Sequence, residues 1–194
     1  HLHPDHYDRE ATRTLFRRAD PPAAFIGPPG TRPFLPNEAV PHLRELAPGT
    51  TTQLGDVRIT ATRCVHTGPP PDEVNYVVEG GGLTAFFAGD SRYSTVFADV
   101  GRRFRVDVAF LPVSGTEVFG HRTTMNEEDA AVAASDLRAR WVVPMHEGGV
   151  WLSVPPASRH PGRAKRLADV AKKRGSPFEV LVAEPGKTLR IGAG

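Results

Sequence analysis

Three imidazoles and a carboxylate fall within the first six residues, His1-Leu2-His3-Pro4-Asp5-His6. Imidazole and carboxylate are the usual protein ligands of zinc and similar divalent ions. In an extended segment His1 and His3 point the same way, because side-chain direction repeats every second residue. A turn at Pro4 then swings Asp5 and His6 towards a second position nearby. The spacing suggests two adjacent metal sites, and paired metals about 3.5–4 Å apart are a recurrent device of hydrolytic enzymes. The competing reading is a tag remnant or a solvated His-rich terminus. Tags are usually plain His runs without Asp, which favours the ligand reading.

Three later segments supply what a dinuclear site still needs. His66 closes Asp56 to His66, a β-branched run whose alternation reads as a strand. Asp90 ends the apolar run Leu83 to Ala88 after a single glycine, and His146 ends Trp141-Val-Val-Pro-Met-His146. Each is weak alone, since a lone His after a strand or a Gly-Asp pair is commonly a loop or a turn. Three strand-like runs that all finish on ligand-type residues describe an active site along one edge of a sheet.

The elements that must carry these residues follow from pattern and punctuation. Asp8 to Arg18 reads as a short Arg-rich helix and Ala23 to Ile26 as a short buried strand, with a turn at Pro28-Pro-Gly-Thr. Asn37 to Leu46 reads as a short helix capped by Asn37. Val57 to Val65, Glu73 to Val78 and Leu83 to Ala88 read as successive antiparallel strands, the last two joined at Gly80-Gly-Gly82. Ser94 to Arg103 is predicted helical and Val106 to Leu111 a buried strand. Asn126 starts a helix with acids in its first turn, which the helix dipole favours, running to about Arg138. Trp141 to Val143 is a strand and Ser158 to Arg174 an amphipathic helix stopped by Gly175. Phe178 to Ala183 and Lys187 to Ile191 are predicted to form a closing hairpin.

On these motifs the sequence resembles a metallo-β-lactamase-fold hydrolase. The motifs stand here as His1-Leu-His3-Pro-Asp5-His6, His66, Gly89-Asp90 and Pro144-Met-His146. The stretches Phe110-Leu-Pro-Val-Ser, Thr124 to Ala131 and Val143 to Gly148 are similar to the ascorbate-6-phosphate-lactonase-like and N-acyl-phosphatidylethanolamine phospholipase D-like branches. Glu184 to Ile191 resembles the last strand of those proteins. The resemblance implies an α/β (α+β) fold, an αββα sandwich of two mixed sheets with outer helices, over a single domain spanning 1–194. It implies one metal on His1, His3 and His66, a second on Asp5, His6 and His146, and Asp90 bridging them. Zinc suits the histidine-rich set, and the two carboxylates also admit manganese or iron. Hydroxide drawn from a water between the metals would then attack, with Asp5 orienting it or taking its proton. Proteins of this fold carry strands before the first motif. The chain starts at that motif without an initiator Met, so the domain is expected to be N-terminally incomplete, with an exposed sheet edge and any targeting signal in the part not included.

Composition bounds the alternatives. A chain of 194 residues with 39% hydrophobic and 24% charged residues fits one α/β domain with a sizeable core. No apolar run approaches the ~20 residues of a membrane span. One cysteine excludes a disulfide framework and Cys-based zinc clusters, and fits a reducing cytoplasm. A net charge of +2 is too small to argue for nucleic acid, which disfavours a nuclease. The expected partner is a small-molecule substrate, anionic if Arg122 binds it, and a homo-oligomer is compatible with the sequence.

Among residues outside the motifs, His121 in Phe119-Gly-His-Arg-Thr-Thr124 precedes the acidic helix in a loop that could overhang the site and donate a proton to a leaving group. The alternative is an exposed loop histidine, and Arg122 carries the same two readings. Cys64 shares the side of its strand with His66 and reads as a packed thiol. His42 and His160 read as residues of helical surfaces rather than ligands. Tyr93 and Trp151 flank ligand segments, with core packing favoured over pocket lining. The function expected is metal-dependent cleavage of a lactone, ester or phosphodiester. The alternatives are a β-lactamase or thiolesterase of the same fold, and a non-catalytic metal-binding scaffold.

Overall fold

The computed structural model describes residues 1–3, 6–19, 23–68, 71–147, 157–184 and 186–191. Helix α1 (Arg9–Arg18) is capped by Asp8, whose carboxylate accepts from the Ala11 N–H at 2.8 Å. Strand β1 (Phe25–Gly27) pairs in parallel with β2 (Leu43–Glu45). Strands β3 (Thr51–Leu54), β4 (Val57–Arg63), β5 (Val74–Gly80) and β6 (Leu83–Phe87) form an antiparallel meander. The chain then crosses through α2 (Val96–Arg103) to β7 (Val108–Pro112), parallel to β6. A hairpin of β8 (Glu117–Val118) and β9 (His121–Arg122) precedes α3 (Glu127–Leu137) and β10 (Trp141–Met145), which is parallel to β7. Strand β11 (Ser158–Arg159) joins β8, and α4 (Ala164–Arg174) leads to β12 (Glu179–Val180), parallel to β10. The central sheet is ordered β12-β10-β7-β6-β5-β4-β3.

Period-two alternation gives that sheet two apolar faces. Val77, Phe86, Ala109, Leu111 and Val142 pack on one side against α2, α3 and α4. Four buried alanines on α3, at 130, 131, 133 and 134, let it lie close to the sheet and to α2. Ile59, Ala61, Val74 and Tyr76 face the other way and pack on Ile26 and Leu46, beside the β1–β2 pair. The result is the expected α/β arrangement of sheets with helices outside, with a small three-stranded β11-β8-β9 sheet added.

Besides that added sheet, other elements differ from the sequence expectation. Residues 37–46 form a turn, a 3₁₀ turn at Val40–His42 and then β2 instead of a helix. Pro41 has no N–H to give an i→i−4 bond, and the pairing of β2 with β1 takes the following residues. The last long helix begins at Ala164 and not at Ser158, because Pro161 cannot sit in a helix interior and Ser158–Arg159 pair with β8. The closing hairpin is absent among the described residues. Glu179–Val180 bond to β10 instead, and 187–191 lie in no strand. Strand β3, polar and at the sheet edge, was not anticipated.

Candidate metal centre

The ligand-type residues arrive from four places on one edge of the central sheet. The Tyr7 and His6 amides both donate to the His3 carbonyl at 2.9 Å, a tight turn that folds His6 back beside His1. The ring centroids of His1 lie 4.3 Å from His3, 4.5 Å from His6 and 5.0 Å from His66. His66 follows β4, and the Arg92 N–H donates to the Val65 carbonyl at 2.8 Å, tying that segment to the loop holding Asp90. His146 follows β10 with φ 54°, a left-handed conformation costly for a residue with a Cβ. Its ring stacks on His6 with centroids 5.3 Å apart.

These residues converge as two groups that share one carboxylate. His1, His3, His66 and Asp90 each offer a ligand atom within 4.8 Å of the others, and so do His6, Asp90 and His146. Asp90 Oδ2 lies 3.6 Å from His1 Nε2 and 3.2 Å from His6 Nε2, and Oδ1 lies 3.2 Å from His146 Nε2. Burial pushes the Asp90 carboxyl up, but hydrogen bonds from His146 and His6 outweigh it and hold the group well below the usual carboxylate range. His1, His3 and His66 fall in the first group and His6 and His146 in the second. Asp5, expected as both ligand and base, lies outside the described residues.

Three of the histidines are held in place by one ring nitrogen each. His66 Nδ1 lies 3.2 Å from the Thr123 carbonyl, which can only accept, so Nδ1 carries the hydrogen. Its Nε2 is then a lone-pair donor, buried and with no hydrogen-bond partner among the described residues. His1 Nδ1 lies 2.9 Å from the Glu73 carboxylate and His146 Nδ1 lies 2.9 Å from Ser114 Oγ. A ring held at one nitrogen by an oxygen, with the other turned to a cluster, is the arrangement metal-ligating histidines adopt. The residues present fit divalent ions.

Glu73 is the residue sequence reasoning missed. Its side chain is 3% exposed, and Oε1 accepts from His1 Nδ1 and, at 2.8 Å, from the Asp90 backbone N–H. It heads β5, whereas His66, Asp90 and His146 follow the ends of their strands. Because β5 runs antiparallel to β4, its start lies at the same edge as the end of β4. That pairing was the available signal. Gly89 is required here: its φ is +52°, and a Cβ would stand 1.9 Å from Glu73 Oε1.

Other expected residues fall outside the cluster or beside it. His121 is exposed at the tip of the β8–β9 hairpin, in solvent, and lines none of the cavities described at the cluster. Arg122 pairs with Asp129 at 3.2 Å. Tyr93, 40% exposed, donates to Asp136 and stacks on Phe97 at the surface and not in the core. Cys64 lines the larger cavity beside Glu73, and burial, then the Glu73 charge, pushes its thiol up. His42 packs against Phe16, whereas His160 is on no helix and lines the smaller cavity. Trp151 lies outside the described residues.

Among the described residues a cavity of about 390 Å³ adjoins His1 and His6, and two more are lined by both His3 and His66. One of about 720 Å³ is lined by His1, His3, His66, Arg63 and Glu73 among others. The second, about 350 Å³, is lined by His3, His66, Asp90, His146, Val118 and His160 among others. Both have the volume of a small-molecule site.

Residues 1–146 match the family model of the beta-lactamase superfamily domain. A UPF0173 metal-dependent hydrolase of Solibacter usitatus is 31% identical over 170 residues, covering 82% of this chain and 67% of the relative. The UPF0173 protein of Pyrococcus furiosus is 30% identical over 180 residues, covering 92% and 78%. A UPF0173 hydrolase of Nitratidesulfovibrio vulgaris aligns over 46% of its own length and 59% of this chain, at 38% identity. Among solved structures, a metallo hydrolase from Ignicoccus hospitalis superposes with a TM-score of 0.80 at 22% identity, covering 100% of this chain and 78% of the other. That likeness is one of fold.

Proposed function

The chain belongs to the beta-lactamase superfamily domain family and, within it, to the UPF0173 metal-dependent hydrolases, and from that premise we propose that it hydrolyses a lactone, ester or phosphodiester with two divalent ions. The observation that carries the reading is Asp90, whose carboxylate belongs to both histidine groups. In the proposed site His1, His3 and His66 hold one ion, His6 and His146 with Asp5 the other, and Asp90 bridges. Zinc is the ion we assign, on the strength of five imidazoles, with manganese and iron as the competing occupants. When bound, such ions supply a nucleophile from water at neutral pH and polarise the oxygen of the scissile group.

The protein's own residues do the rest. Glu73 holds His1 and the Asp90 backbone in place, Thr123 and Ser114 fix the rings of His66 and His146, and Asp90 keeps its negative charge across ordinary pH. The cavities beside the cluster take a small molecule. A non-catalytic scaffold is disfavoured, since a chain relieved of chemistry has no need to keep six converging ligands oriented from behind.

The test is hydrolysis by protein stripped with a chelator and then reloaded with zinc, manganese or iron(II), on a panel of lactones, carboxylic esters and phosphodiesters. Turnover that vanishes on stripping and returns on reloading supports the reading. Turnover confined to β-lactams or thioesters reassigns the bond, and no turnover by a loaded protein on any class favours the scaffold.

A further inference from the structure

We propose that His160 is a substrate-contacting residue that donates a hydrogen bond from Nε2 to an acceptor oxygen of the substrate in the smaller cavity. The proposal rests on the metal centre proposed above, because metal binding at His146 sets the direction of every hydrogen bond that follows.

A chain of hydroxyls runs behind the site. Ser114 Oγ lies 2.9 Å from His146 Nδ1, 2.8 Å from Thr124 Oγ1 and 2.7 Å from Thr116 Oγ1. Thr116 Oγ1 lies 2.9 Å from His160 Nδ1. Ser114 is fully buried, and Thr116 and Thr124 are buried at the wall of the smaller cavity, so within the protein their hydroxyl hydrogens find side-chain acceptors in this set.

One assignment satisfies all of them within the protein. His146 Nε2 faces Asp90 in the cluster. If it gives its lone pair to a metal, Nδ1 must carry the hydrogen and donate to Ser114. Thr124 Oγ1 already accepts from the Thr116 N–H at 3.0 Å, and its own hydrogen has Ser114 Oγ as its acceptor. Ser114 therefore accepts twice and donates to Thr116. Thr116 then has one acceptor left for its hydrogen, His160 Nδ1. His160 is thereby fixed with its hydrogen on Nε2, and no hydrogen bond among the described residues uses that nitrogen. The residue lines the cavity with His3, His66, Asp90 and His146. The reverse tautomer would leave the Thr116 hydrogen without an acceptor in a buried chain.

The backbone holds His160 at this distance. Arg159 pairs with Glu117 on β8, and the Gly162 N–H donates to the Ser114 carbonyl at 2.8 Å. A Cβ at Gly162 would stand 1.7 Å from the Val113 carbonyl oxygen, so only glycine lets the chain pass this close.

A donor at Nε2 selects substrates that place an acceptor oxygen, carbonyl, carboxylate or phosphoryl, on the β11 side of the metals. The test uses zinc-loaded, ¹⁵N-labelled protein whose metal content is verified by elemental analysis. Long-range ¹H–¹⁵N spectra distinguish the two imidazole tautomers, and His160→Phe identifies the signal. The expected result is the Nε2–H form at His160, lost as a fixed tautomer in Thr116→Val. Inorganic phosphate serves as the oxyanion probe, with an affinity expected to fall about tenfold in His160→Phe at unchanged metal content. If His160→Phe does not fold, Thr116→Val carries the phosphate measurement, with a loss of the same sign. An Nδ1–H form in the loaded protein, or unchanged phosphate affinity, overturns the assignment and leaves the metal centre standing. A protein that takes up no metal overturns the centre and this assignment together.

Discussion

Glu73 Oε1 stands 2.9 Å from His1 Nδ1 and also accepts the Asp90 backbone N–H at 2.8 Å. One buried carboxylate thus orients a histidine of one group and the loop carrying the carboxylate shared by both. Replacing Glu73 by Ala is expected to weaken metal binding about 10–100-fold. Glu73→Gln, which keeps one acceptor oxygen, should lose less. Competition with a chelator of known affinity measures both, and equal affinity in all three proteins would remove Glu73 from the site.

Gly89→Ala should damage the same contact from the backbone side. The residue combines a φ of +52° with a Cβ position 1.9 Å from Glu73 Oε1. The expected cost exceeds about 1 kcal/mol in unfolding free energy, together with weaker metal binding. Denaturant melts with and without zinc separate the two effects.

Arg138 offers the opposite sign. It caps α3 in the left-handed conformation at φ 55°, with its side chain exposed. Arg138→Gly relieves that strain and is expected to stabilise the fold by about 0.5–1 kcal/mol, a rise of a few degrees in Tm. A lower Tm would show that the arginine makes contacts worth more than the backbone relief.

Tyr76 sets a pH dependence. Burial, and then the Glu73 charge, push its phenol up to about 12. A group whose pKa is raised by folding contributes stability that is complete below its unfolded value, about 10, and is lost as pH rises through the folded one. Stability should therefore fall between about pH 10 and 12 by a component that Tyr76→Phe removes. The hydroxyl is buried with no hydrogen-bond partner among the described residues, so the Phe variant should be as stable as the parent or more so at pH 7. Urea melts across that range, alongside phenolate absorbance, check both statements.

Much of the candidate site was legible because its ligand-type residues end apolar runs, and a run that ends in His or Asp marks both a strand and its edge. His66, Asp90 and His146 were found that way, and the hexapeptide announced itself by composition. Glu73 was invisible to the same rule because it begins its strand, and its partners are 72 and 17 residues away in the chain. His160 was misplaced because the helical pattern of 164–174 was extended back through Pro161. The hydroxyls of Ser114, Thr116 and Thr124 carried no pattern at all, since a buried polar chain is defined by three-dimensional neighbours. In the fold, long alternating strands and capped helices were readable. The short pairs β1–β2 and β11–β8 depend on partners that local sequence does not specify.

The central claim is that two metal positions share Asp90, and a ladder of metal contents tests it most directly. Elemental analysis of zinc-loaded wild type, His146→Ala and Asp90→Ala is predicted to give about two equivalents, about one, and fewer than one. The one-equivalent step matters most, because His146 belongs only to the group it forms with His6 and Asp90. A wild type that saturates at one equivalent, or a His146→Ala variant that still holds two, would contradict the shared-carboxylate centre.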